Sequence, residues 1–163
     1  MRKLASGLAV AALVIAPAAV SAQVQIGPTL AFHDDFDFGI GATFGAQAPQ
    51  LGEGIGFMAD LIIFFPSTDG VDYFEINGNV TYDFPLENST VLPFALGGLN
   101  IARASVDAGT LGSVSNTEIG LNLGGGIVFD AGSFRPAVGG RFEVNGGEGF
   151  VLFATLPFQV GNR

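Results

Sequence analysis

The only histidine in the chain, His33, is followed by Asp34 and Asp35 and, after Phe36, by Asp37. An imidazole beside a carboxylate can activate a hydroxyl for nucleophilic attack, and Ser67, Ser105 and Ser113 are the hydroxyls on offer. No spacing sets any of them in register with His33, so the segment fits a polar turn equally. Asp34, Asp35, Asp37, Asp69, Asp72 and Asp107 are hard oxygen donors of the kind that hold Ca²⁺ or Mg²⁺. They lack the fixed spacing of a dedicated calcium loop, and the sequence leaves metal binding open. A third set carries both signs: Asp60, Glu75, Glu118, Arg135, Arg141 and Glu143. Buried charges persist only when paired and hydrogen-bonded. These six are therefore expected to form a structural charge network. No catalytic or cofactor-binding set emerges. The chain has no Cys, which excludes thiol catalysis and Cys-ligated zinc. Gly124-Gly125-Gly126 lies in a strand pattern with no helix after it, so it is not a dinucleotide fingerprint.

The elements that must hold these residues alternate with a period of two. Val24, Ile26, Pro28, Leu30 and Phe32 alternate with Gln25, Gly27, Thr29, Ala31 and His33. Further runs cover Phe36–Gln47, Ile55–Ile63, Tyr73–Phe84, Val91–Ala104, Glu118–Asp130, Phe134–Asn145 and Phe150–Val160, joined by turn-type residues. In the fifth run the phase slips at Gly97-Gly98, which predicts a β-bulge. Eight strands, no helix and one domain are expected.

Which face is the core follows from composition. The polar face carries Gly, Asn, Thr, Ala and a few charges, unlike the Lys- and Glu-rich exterior of a soluble barrel. Small residues suit the crowded interior of an eight-stranded barrel. The inward glycines either leave water-filled space or make room for Arg135 and Arg141; the second is favoured, and pore activity does not follow from the fold. Aromatics gather at strand ends. Phe32, Phe36, Tyr73, Phe74, Phe142 and Phe150 mark one rim, and Phe44, Phe57, Tyr82, Phe84, Phe94, Phe129, Phe134 and Phe158 the other. The expected fold is all-β, an eight-stranded antiparallel up-and-down transmembrane β-barrel. With the N-terminus periplasmic, the longest outer loop would be Ser105–Thr117.

The first 22 residues read as a signal peptide: basic Met1-Arg2-Lys3, an apolar Leu4–Ile15, Pro17, then Val20-Ser21-Ala22 before the cut. Residues 23–163 form the barrel domain. That mature chain carries four Arg, no Lys and 15 acids, a net charge of −11, which argues against nucleic acid as a partner.

Two phrases add a resemblance. Leu92-Pro93-Phe94-Ala95-Leu96-Gly97-Gly98-Leu99 is similar to a Pro-aromatic-Gly-rich strand of the small outer-membrane barrels of the OmpA/OmpX type. Asn122-Leu123-Gly124-Gly125-Gly126-Ile127, with Phe134-Arg135-Pro136, is similar to their sixth and seventh strands. The end differs, since Phe158 is followed by five further residues where such proteins finish on an aromatic. The resemblance implies a non-enzymatic protein of the cell outer membrane with a structural or surface-interaction role and no cofactor. Its implied partners are outer-membrane lipid, lipopolysaccharide and, during insertion, the barrel-assembly machinery; a monomer is expected, with no peptidoglycan-binding domain after the barrel. Two alternatives remain: a barrel enzyme modifying lipid A, and a secreted soluble barrel carrying an apolar ligand with its faces reversed.

Overall fold

In lipid every backbone donor and acceptor must be paired within the protein, so a sheet there must close. A computed structural model describes residues 24–107, 109, 112–144 and 148–160. The expected signal peptide and the Gly146-Gly147 turn lie outside the described residues. The strands are β1 (Val24–His33), β2 (Asp37–Gln47), β3 (Ile55–Phe64), β4 (Val71–Asp83), β5 (Val91–Asp107), β6 (Ser113–Phe129), β7 (Ala137–Val144), β8 (Gly149–Thr155) and β9 (Phe158–Val160). Each pairs antiparallel with its neighbour. β1 then closes the ring, pairing with β2 on one side and with β8 and β9 on the other. The protein is an eight-stranded antiparallel barrel whose eighth strand is β8 plus β9. Pro157 lacks the N–H that the ladder needs, and the strand is interrupted there.

Alternation sorts the side chains by face. Leu30, Leu61, Leu99, Leu123 and Leu152 point outward and are exposed, Leu123 at 71%. Thr29, Asp60, Asn77, Asn100, Asn122 and Arg141 point inward and are buried. A soluble carrier with reversed faces is incompatible with that distribution.

Three local expectations are corrected. The β5 ladder runs without a slip from Val91 to Asp107 against β6, and Gly97 and Gly98 oppose Leu123 and Asn122 in plain register. The apparent change of phase arises because Phe94 and Leu96 point inward, where they join Met58, Ala137 and Phe153 in an apolar core. Three of the supposed rim aromatics also turn inward or over the lumen. Phe94 is 6% exposed, Tyr73 is buried beside Glu75, and Phe36 stacks on Tyr73 at 3.6 Å between ring centroids. Finally, Ser105–Thr117 is mostly hairpin: Ser105, Val106 and Asp107 pair with Ser115, Val114 and Ser113.

The inward glycines make room for large neighbours. A Cβ on Gly139 would come within 2.6 Å of Phe153 Cζ, one on Gly126 within 2.9 Å of Phe94 Cε1, and one on Gly124 within 2.9 Å of Arg141 Cβ. Space for Arg141 was expected; space for Phe94 and Phe153 was not.

Candidate functional site

The turn that ends β1 is short because Asp37 adopts φ 60°, a left-handed conformation that Asp tolerates better than most residues. His33 then opposes Asp37 across the hairpin and faces inward, fully buried. Four other strands deliver polar side chains to the lumen beneath it: Asp60 from β3, Glu75 and Asn77 from β4, Asn100 from β5, and Arg141 and Glu143 from β7. All share the inward phase of their strands.

Arg141 is the centre. Its Nε donates to Glu143 Oε1 at 2.6 Å and its Nη2 to Glu75 Oε2 at 2.8 Å, with Nη1 3.4 Å from Asp60 Oδ1. β7 does not neighbour β3 or β4 in the sheet, so the guanidinium spans the lumen to reach them. Its far face lies 5.8 Å from the Phe153 ring centroid. Neutral donors also reach the carboxylates: Asn100 Nδ2 donates to Glu143 Oε2 at 2.8 Å, Tyr73 Oη to Glu75 Oε1 at 2.9 Å, and Asn77 Nδ2 to Asp60 Oδ1 at 2.8 Å. Asn122 Nδ2 extends the network to Asn77 Oδ1 and Asn79 Oδ1. Arg141, Glu75 and Asn100 are at most 1% exposed. In such a setting a charge without its partner is costly, so the members hold one another in place.

Above this layer His33 packs edge-on against Phe36, Phe64 and Tyr73. Its Nδ1 accepts the Asp35 N–H at 3.0 Å and lies 3.2 Å from Asp34 Oδ1; its Nε2 is 3.9 Å from Glu75 Oε1. His33 thus links the rim acids to the buried ones and is not part of an exposed polar turn. Below the network come Met58, Phe94, Leu96, Ala137 and Phe153. At the opposite mouth Arg135 Nη2 bonds Asp83 Oδ2 at 3.1 Å, and Arg135 Nε lies 3.5 Å from Asp130 Oδ2. Gln47 Nε2 reaches the same Asp83 oxygen at 3.2 Å, beside a cavity of about 70 Å³.

The six charged residues read from the sequence therefore separate. Asp60, Glu75, Arg141 and Glu143 meet in one cluster. Arg135 belongs to a second cluster near the other mouth. Glu118 joins neither: it opposes Ala102 of β5, is exposed, and accepts from Asn116 Nδ2 at 2.6 Å. Sequence reasoning missed Asp83, Tyr73 and the asparagines; the inward phase of Asn77, Asn79 and Asp83 was the available signal. The six aspartates do not assemble. Among the described residues, only Asp34 and Asp35 of that set come together with His33 as possible metal donors. Ser67 Oγ donates to Asp37 Oδ2 at 2.6 Å, and Ser105 and Ser113 lie in the β5–β6 hairpin.

No protein-family model and no curated protein matches the chain. Solved structures do. Neisserial surface protein A aligns over 84% of this chain and 96% of its own, with 19% identity and a TM-score of 0.65. The fold is that of the small outer-membrane barrels. The N-terminal β-barrel domain of Pseudomonas aeruginosa OprF covers 85% of this chain and 100% of its own (14% identity, TM-score 0.64). Ail, the attachment invasion locus protein of Yersinia pestis, covers 83% and 94% (15% identity, TM-score 0.60). At such identities the likeness concerns architecture alone.

Proposed function

We infer that the protein is a non-enzymatic barrel of the outer membrane, exported by a signal peptide over residues 1–22. Its lumen is closed by the Arg141 cluster and the apolar layer beneath, and its role is structural or one of surface interaction. The single observation that carries this reading is the inversion of faces: a fully buried Arg–carboxylate cluster inside, exposed Leu, Ile, Val and Phe outside. Outer-membrane lipid and lipopolysaccharide contact the apolar band. The alternation of Phe150, Leu152, Ala154, Leu156 and Phe158 is the segment offered to the barrel-assembly machinery, and the barrel works as a monomer. The β5–β6 hairpin, the longest of the ladders, is the element through which it meets the outside.

Cell fractionation tests the reading. A urea-resistant membrane pellet with heat-dependent gel mobility is expected; a soluble periplasmic protein would contradict it. Lipid A chemistry unchanged by His33→Ala is expected as well, and its loss would favour the enzyme.

A further inference from the structure

His33, Glu75 and Glu143 place one ligand atom each within 4.8 Å of one another inside the barrel, all three residues buried. The geometry points to a divalent transition-metal site here, with Zn²⁺ as the ion of best fit, held by His33 Nε2 and by a carboxylate oxygen each of Glu75 and Glu143. The inference rests on the inward placement of the charged face and not on membrane location.

Charge gives the first reason. Asp60, Glu75 and Glu143 bring three carboxylates to a layer with one guanidinium, Arg141. Taken with a neutral imidazole and all three carboxylates ionised, the formal sum is −2, and a divalent cation would bring the layer to neutrality. Burial makes that balance matter, since an uncompensated charge in a dry interior is strongly unfavourable.

The ligand set gives the second reason. One imidazole and two carboxylates form a borderline donor set that suits zinc better than the all-oxygen preference of Ca²⁺ or Mg²⁺. A metal-ligating histidine usually directs its other ring nitrogen to a carboxylate, which fixes the ring and its tautomer. Asp34 Oδ1 stands 3.2 Å from His33 Nδ1 and can serve as that outer partner. In the metal-free protein Nδ1 accepts the Asp35 N–H, which puts the ring proton on Nε2. Binding moves that proton to Nδ1, facing Asp34, and opens Nε2 to the ion; the Asp35 N–H bond is given up. Arg141 does not obstruct the site. It bonds Glu143 Oε1 and Glu75 Oε2, which leaves Glu143 Oε2 and Glu75 Oε1 turned to Asn100 and Tyr73. Both donors there are neutral, and a carboxylate oxygen keeps a second lone pair for the ion beside such a hydrogen bond. Asp34 and Asp35 with His33 form a competing rim group. Its carboxylates are exposed to water and carry no buried charge in need of compensation.

The test uses the folded protein in detergent, titrated with Zn²⁺ alone, with bound metal measured by elemental analysis and folding checked by heat-dependent gel mobility. One Zn²⁺ per chain is expected, with thermal unfolding raised by saturating zinc. His33→Gln and Glu143→Gln should each lose binding, while Asp35→Asn keeps it. Asp34→Asn should weaken it by about tenfold or more, as loss of an outer-shell partner does. If a variant fails to fold, the wild-type stoichiometry and its competition by Ca²⁺ and Mg²⁺ decide alone. Absence of stoichiometric Zn²⁺ in the wild type would overturn the proposal. So would equal competition by Mg²⁺ or Ca²⁺, or loss of binding in Asp35→Asn with retention in Glu143→Gln. The titration reads the same whether the protein came from the outer membrane or elsewhere, so its failure is separable from failure of the localisation.

Discussion

Replacing Arg141 by Met keeps an unbranched side chain and removes the guanidinium, with its charge, its donors and its contact 5.8 Å from the Phe153 ring centroid. The wild-type guanidinium makes two short charged hydrogen bonds, to Glu143 at 2.6 Å and Glu75 at 2.8 Å, and a longer contact to Asp60 at 3.4 Å. A hydrogen bond to a charged group contributes about 1.5–3 kcal/mol, so the two short ones alone set a scale of about 3–6 kcal/mol. Removing one partner from a buried ion pair costs about 3–5 kcal/mol, because carboxylates are left without compensation. We therefore expect a loss of about 4 kcal/mol. With a urea dependence of about 2 kcal/mol per molar, the unfolding midpoint should fall by about 2 M. The assay is equilibrium unfolding of the barrel in lipid vesicles, read by gel mobility without heating. Arg103→Met is the comparison, since Arg103 is exposed and donates to the neutral Ser115 Oγ at 3.1 Å. It should change stability by about 0.5 kcal/mol or less. A midpoint shift no larger than that of Arg103→Met would refute the reasoning, because Arg141 would then not be holding buried charge.

Other outcomes follow from the same placement. Glu118→Gln should leave stability within about 0.5 kcal/mol of wild type by the same urea titration, since its carboxylate is exposed on the extended hairpin. Leu123→Arg, on the outward face at 71% exposure, should cost about 2–4 kcal/mol in lipid vesicles if the residue sits near the bilayer midplane. Gly139→Ala drives a Cβ to 2.6 Å from Phe153 Cζ and should destabilise by about 1–3 kcal/mol. Adding Phe153→Leu should recover part of that loss, which a double-mutant cycle on urea midpoints would detect.

The strand pattern was legible because a membrane barrel imposes alternation on nearly every residue. β4 shows it without interruption, and the inward phase of Asp60, Glu75, Arg141 and Glu143 could be read directly. The pattern misleads where the interior itself turns apolar. Phe94 and Leu96 look like lipid-facing residues, yet they fill the lumen below the Arg141 layer, and the resulting conflict imitates a bulge. Phase also says nothing about height along the barrel. Glu118 and Arg135 share the inward phase of Arg141, but one is exposed on the β5–β6 hairpin and the other lies near the opposite mouth. Height depends on the stagger between strands, which no single strand encodes. His33 was obscured for a related reason: its neighbours Asp34 and Asp35 advertise a solvated turn, while its own position is the last inward one of β1.

The central claim is that the apolar face meets lipid and the charged face fills the lumen. The chain has no cysteine, so single cysteines can be introduced and spin-labelled without background. Labels at Leu121, Leu123 and Val138, with one at Asn122 between them, should be measured in lipid bilayers by collision with dissolved oxygen. High oxygen collision rates at Leu121, Leu123 and Val138 with a low rate at Asn122 are the predicted result. The reverse order, or equal rates along β6, would contradict the account.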